Sequence, residues 1–82
     1  MKTVKLRTVE TRRFRVRIFY REPTYETRFG PRPDPHRWTY EVEAAGEDEA
    51  ERLARARFRG DAESSWVGWV RQIVDVEVAE VR

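Results

Sequence analysis

The sequence contains no cysteine, no asparagine, one histidine and only two lysines. Without cysteine the chain cannot form disulfides, and no thiolate can act as a nucleophile or metal ligand. It has no run of about 18 apolar residues, so no membrane-spanning helix is predicted. Its opening stretch, MKTVKLRTVE, alternates in polarity, whereas a signal peptide has an apolar block. We therefore expect a cytoplasmic protein.

Length and charge set further limits. The 82 residues are enough for one small domain, spanning residues 1–82. Charged residues make up 39% of the chain and aromatic residues 12%, which predicts a small aromatic core below a charged surface. Residues 1–40 carry 11 basic and 4 acidic side chains, whereas residues 41–82 carry 6 and 11. The halves are complementary, so we expect them to neutralise each other in the folded chain.

Alternating polarity predicts three β-strands. The first covers residues 3–21 and is strongest over 13–20, where arginine alternates with apolar residues. The second covers residues 37–44, and the third covers residues 69–81. Each has the two-residue period of a strand with one buried face.

Between the strands the pattern changes. Residues 22–35 contain four prolines and are predicted to form one long loop. Residues 46–60 have apolar side chains at helical spacing, acidic residues first and basic residues last, which favours a helix ending at Gly60. Residues 61–68 fit either a further helical turn or a connector.

The element order β-β-α-β predicts an α+β fold. A helix normally connects parallel strands, so strands two and three should flank strand one in the sheet order 2-1-3. Strand one would then be antiparallel to both neighbours, with the helix packed on one face. The side chains expected on that face are Phe14, Val16, Ile18, Trp38, Tyr40, Val42, Val74, Val76 and Val78.

The other sheet face should carry opposite charges in rows. Arg13, Arg15 and Arg17 of strand one would lie between acidic rows on both neighbours. Those rows consist of Glu41 and Glu43 on strand two and of Asp75 and Glu77 on strand three. Opposite charges across strands contribute roughly 0.2–1 kcal/mol per pair. This arrangement predicts that most of the arginine charge is balanced within the fold.

Catalytic chemistry is not predicted. His36 has no cysteine and no evident carboxylate partner, and Ser64 and Ser65 have no adjacent base in the sequence. The four glycines are scattered and form no phosphate-binding loop. We expect no enzyme activity, no metal site and no cofactor.

Residues 22–35 contain the best candidate site. Tyr25, Arg28, Phe29 and Arg32 are of the types that dominate binding energy at protein interfaces. An alternative interpretation is that the two rings fold back onto the sheet edge and the arginines are solvated. A second apolar group, Phe19 and Trp69, is expected on the open sheet face, where it would favour a partner or dimer contact.

Two classes of function follow. The first is a small interaction or regulatory module that binds a protein partner or a second copy of itself. Inhibitors and adaptors encoded by bacteriophage and mobile elements are of this size, although size is a weak analogy. The second is nucleic-acid binding through the basic strand, using Arg13, Arg15, Arg17 and Arg21 with adjacent aromatic residues. Acidic rows beside these arginines argue for the first class, because they would repel phosphate.

Overall fold

A computed structural model describes residues 10–64 and 70–82 of the chain. The elements are β1 (Arg12–Arg21), α1 (Pro23–Phe29), β2 (His36–Ala44), α2 (Glu47–Glu63) and β3 (Gln72–Glu80). The sheet order is β2-β1-β3, with β1 antiparallel to both neighbours. This confirms the predicted α+β fold and the 2-1-3 order. The part of strand one predicted over residues 3–9 lies outside the described residues.

The core lies between the sheet and α2. Alternate residues of β1 point toward α2, and small side chains on the helix let it approach the sheet closely. The buried core residues are Phe14, Val16, Ile18, Tyr20, Tyr40, Val42, Ala44, Ala50, Ala54 and Phe58. Ile73, Val76 and Val78 of β3 pack against this core but are only partly buried.

The predicted facing of β3 is wrong at its beginning. Asp75 is paired with Phe19, but Ile73 is paired with the next residue of β1, Tyr20. Val74 is therefore the extra residue of a β-bulge, and it is 48% exposed. The bulge turns Ile73 toward the core. Sequence alternation alone assigns Val74 there because it assumes a regular strand.

Trp38 is also less buried than predicted. It pairs with Ile18, which is completely buried, yet Trp38 is 47% exposed. Both side chains lie on the helix-covered face, but β2 is the outer strand. The helix covers the central strand at this level and leaves the large indole at the sheet edge partly open.

The prediction that residues 22–35 form one loop is wrong, because Pro23–Phe29 form α1. Proline is well tolerated in the first turn of a helix, where its missing N–H would have no helical partner. Thr27 Oγ1 donates to Pro23 O at 2.9 Å, and Gly30 follows with φ of 103° and ends the helix. Proline was taken as a breaker where it acts as a helix start.

Gly60 does not end the second helix, which continues to Glu63. The residue after the glycine, Asp61, accepts a hydrogen bond from Tyr40 Oη at 2.5 Å. This contact fastens the last helical turn to β2, so tertiary structure overrides the weak helix preference of glycine. At the other end, Glu49 Oε1 accepts from the Ala45 N–H at 3.3 Å and ties the preceding residue to the first turn.

Candidate functional site

Glu26 organises the segment that contains α1. Its Oε1 atom accepts from Arg21 Nη1 at 3.1 Å and from the Arg32 backbone N–H at 3.0 Å. The Arg32 hydrogen bond is the main cause of a lowered pKa for the Glu26 carboxyl; burial opposes this, and the nearby Arg21 charge reinforces it. Arg21 also donates to the carbonyls of Arg32 and Pro33 at 2.9 and 3.5 Å. The end of β1 therefore holds both α1 and the residues that follow it.

Glu22 makes a second set of contacts where β1 leads into α1. Its Oε2 atom accepts from Arg71 Nε at 3.5 Å, which links the segment to the residue preceding β3. His36 Nε2 lies 3.1 Å from Glu22 Oε1 without hydrogen-bond geometry, so that contact depends on the imidazole charge. His36 and Arg71 both lie against the Tyr20 ring, with separations of 5.1 and 5.5 Å. The start of α1 is thus joined to β2 and to the beginning of β3.

Four of the predicted site residues lie on α1 or just after it. Tyr25 and Phe29 are one helical turn apart, and their ring centroids are separated by 4.7 Å. Phe29 is 63% exposed, and α1 has no buried residue. Arg28 is exposed beside a shallow groove formed with Pro23, Thr24 and Thr27. We call Tyr25, Arg28, Phe29 and Arg32 the α1 surface.

The other two predicted partner-binding residues are placed differently. Phe19 is half-buried on the open sheet face, between Arg37 on β2 and Asp75 on β3. Trp69 lies outside the described residues, so the predicted apolar pair of Phe19 and Trp69 stays a prediction. The α1 surface is the part of the predicted site that the structure brings together.

The arginines assigned to nucleic-acid binding are close to carboxylates. Arg15 Nη2 lies 3.2 Å from Glu41 Oε1, and the corresponding distances are 3.9 Å for Arg13 to Glu43 and 3.7 Å for Arg17 to Glu77. Arg21 pairs with Glu26 as described above. The three sheet pairs are all substantially exposed to solvent, which limits each to about 0–1 kcal/mol. They nevertheless place a negative group beside every arginine of the predicted basic face.

The described residues offer little for metal binding. Within residues 10–64 and 70–82, no group of three or more acidic, histidine or cysteine side chains is arranged to hold a metal ion. His36 is adjacent to one carboxylate, Glu22. Among the described helices, none is both long and apolar enough to cross a membrane.

Sequence reasoning missed the residues that position the α1 surface. Glu22, Glu26 and Arg21 were read as ordinary charged residues flanking a loop, and the contact between Glu22 and Arg71 joins positions far apart in sequence. One usable signal was present, since a proline at 23 followed by Glu26 and then Gly30 fits a one-to-two-turn helix. Comparison with family models, curated proteins and solved structures gave no significant match.

Proposed function

We propose that this chain is a small, non-enzymatic interaction module that binds a protein partner through the α1 surface. The observation that carries the proposal is the exposure of Phe29, at 63%, on a helix without a single buried residue. Exposed aromatic side chains on an ordered element are typical of binding surfaces, because rings supply a large contact area.

The position of α1 supports this interpretation. The helix adds no side chain to the buried core, yet Arg21 and Glu26 hold it in place through hydrogen bonds to its flanking residues. An element that is held without contributing to the core is available for recognition. Holding it before binding also lowers the entropy lost in the complex.

The charges around α1 indicate the chemistry of the partner. Glu22 and Glu26 are already engaged by Arg71 and Arg21. Arg28 and Arg32 add positive charge beside the exposed Phe29 ring. A partner surface with an apolar residue surrounded by acidic groups would complement this arrangement.

The ion pairs on the open sheet face favour a protein partner over nucleic acid. Phosphate binding would require Arg13, Arg15 and Arg17 to exchange a carboxylate neighbour for a phosphate, while that carboxylate repels the polyanion. Binding through the α1 surface requires no such exchange. Nucleic-acid binding through these arginines remains the alternative outcome of the experiment below.

The test compares capture of partners from a lysate of the source cells by the immobilised wild-type chain and by two variants. Phe29→Ala should weaken binding of a captured and then purified protein by about 30-fold or more, as expected for an interface hot spot. Leu53→Ala is the matched control, because Leu53 is an exposed apolar residue on α2, at 37%. Calorimetry with the purified partner gives the dissociation constants.

Nuclease treatment and salt separate the two functions. Protein capture that survives nuclease and is lost with Phe29→Ala supports the proposal. Capture that nuclease abolishes, that weakens steeply with salt and that requires Arg15 would instead identify a nucleic-acid-binding protein. Equal binding by wild type and Phe29→Ala would also overturn the proposal.

A further inference from the structure

The helix face of β3 is less covered than that of β2. Tyr40, Val42 and Ala44 of β2 are 8%, 6% and 0% exposed, whereas Val76 and Val78 of β3 are only partly buried. At the beginning of β3, Val74 is 48% exposed and the preceding Val70 is 67% exposed. An apolar strip therefore runs along the outer side of the sheet at β3.

Backbone groups on this edge are also available. The Val81 N–H donates to Arg13 O at 2.8 Å, which fixes the hydrogen-bonding alternation between the paired strands. Val76, Val78 and Glu80 must then point their N–H and C=O groups away from β1. Asp75 Oδ1 accepts from the Val76 N–H at 2.9 Å, and no strand within the described residues lies beyond β3. An unpaired edge of this kind is a template for another strand.

The pairing of β3 with β1 shows which sequence it accepts. On the open face, Glu77 lies opposite Arg17, and on the helix face Val76 and Val78 lie opposite Ile18 and Val16. A strand that alternates basic and apolar residues thus satisfies both faces of β3. The free edge offers the same alternation of acidic and apolar side chains on its other side.

The chain contains a second sequence of this type. Residues 3–8 read TVKLRT, in which Lys5 and Arg7 alternate with Val4 and Leu6. This sequence precedes Arg12, the first residue of β1, which pairs with the last residue of β2, Ala44. At the same end β3 finishes at Glu80, and the sequence ends at Arg82. A direct continuation of β1 toward residue 3 would extend past both neighbouring strands.

We propose that the free edge of β3 binds residues 3–8 of a second copy of this chain as an added strand. Lys5 and Arg7 lie beside the Asp75 and Glu77 row, and Val4 and Leu6 extend the apolar strip of Val76 and Val78. The exchange is reciprocal, so the assembly is a two-fold symmetric dimer. This contact is distinct from the α1 surface and does not depend on the function proposed for it.

The first test is the mass of the full chain by light scattering over a range of concentrations. The 9.9 kDa chain should approach twice that mass as concentration rises. Lys5→Glu with Arg7→Glu should raise the dimer dissociation constant by about tenfold or more, because both copies of the contact become repulsive. Arg37→Glu with Arg52→Glu is the control, since it changes net charge equally at exposed positions on β2 and α2. It should leave the midpoint within about twofold.

The second test identifies which copy supplies the strand. In a mixture of isotope-labelled and unlabelled chains, isotope-filtered nuclear Overhauser effects should connect β3 of one copy to Val4 and Leu6 of the other. Asp75→Lys on the accepting strand should weaken dimerisation in the same direction as the Lys5 and Arg7 substitutions, and circular dichroism checks that each variant folds.

Three results would overturn the proposal. They are a monomer at every concentration, a dimer equally stable in the Lys5 and Arg7 variant, and contacts between β3 and residues 3–8 that occur only within one copy.

Discussion

The two outer strands of this sheet have similar sequences but different surroundings. Both β2 and β3 alternate acidic with apolar residues beside the same arginine-bearing central strand. On β2 the apolar residues Tyr40, Val42 and Ala44 are buried, whereas on β3 none of the corresponding residues is fully buried. The difference shows that a single α2 helix cannot cover all three strands equally.

Contacts from α2 explain why β2 is the better covered side. Asp61 near the end of the helix accepts a hydrogen bond from Tyr40. Arg57 donates to Glu41 O at 3.4 Å and so satisfies a carbonyl on the outer edge of β2. On β3 the only printed cap of an outward amide among the described residues comes from the strand itself, between Asp75 and the Val76 N–H. The helix thus protects one edge and leaves the other for a partner strand.

The largest expected effect comes from truncating the buried side of this comparison. Val42→Ala should lower the free energy of unfolding by about 2 kcal/mol, because it removes two buried methyl-sized groups and leaves a cavity. Val76→Ala should cost about half as much in the monomer, because Val76 is only partly buried. Urea unfolding of both variants measures the difference. Equal losses at low protein concentration would contradict the claim that β3 is less covered.

The next effect concerns the contact that fixes α2 to β2. Tyr40→Phe should destabilise the chain by about 1 kcal/mol through loss of the hydrogen bond to Asp61. Leu53→Phe provides a control for aromatic substitution at an exposed position of the same helix.

Tyr40 also predicts a dependence on pH. Burial, and then the hydrogen bond and charge of Asp61, raise the pKa of Tyr40 above its ordinary value of 10.0. The unfolded phenol ionises near that value while the folded one stays protonated, so this stability is complete below about pH 10 and is lost as the pH rises above it. Tyr40→Phe should flatten the alkaline decline in unfolding free energy. An unchanged decline would show that Tyr40 does not cause it.

The smallest effects should come from the charge rows on the open face. Glu41→Arg on β2 and Glu77→Arg on β3 each replace an exposed ion pair by a repulsive contact. We expect losses of about 0.5–1 kcal/mol, decreasing with added salt because the pairs are solvated. Thermal unfolding at low and high salt measures this. A loss of several kcal/mol at either position would contradict the assignment of these pairs to the surface.

Much of the fold could be predicted because it depends on local alternation and on element order. The buried face of β1 and the position of the arginines between two acidic rows follow from a two-residue period and the 2-1-3 order. The bulge at Val74 could not be predicted, because it depends on how β3 fits against β1 after the chain has folded. Continuation of α2 past Gly60 likewise depends on Asp61 reaching Tyr40.

The candidate site was predictable in composition but not in form. Tyr25, Arg28 and Phe29 were recognised by residue type, whereas their placement on a short helix was hidden by the proline count. The carboxylates that hold this helix, Glu22 and Glu26, receive their partners from β1, from Arg32 and from the residue before β3. Such contacts link distant positions, and no period in the sequence encodes them.

Amide hydrogen exchange tests the difference between the two outer strands most directly. Glu41 on β2 and Val78 on β3 both point their N–H groups away from β1. At concentrations where the dimer forms, the Val78 amide should become protected and the Glu41 amide should stay fast, and dilution should remove the Val78 protection. Fast exchange of Val78 at every concentration, or protection that appears on Glu41 instead, would contradict the conclusion that β3 is the edge completed by a second copy.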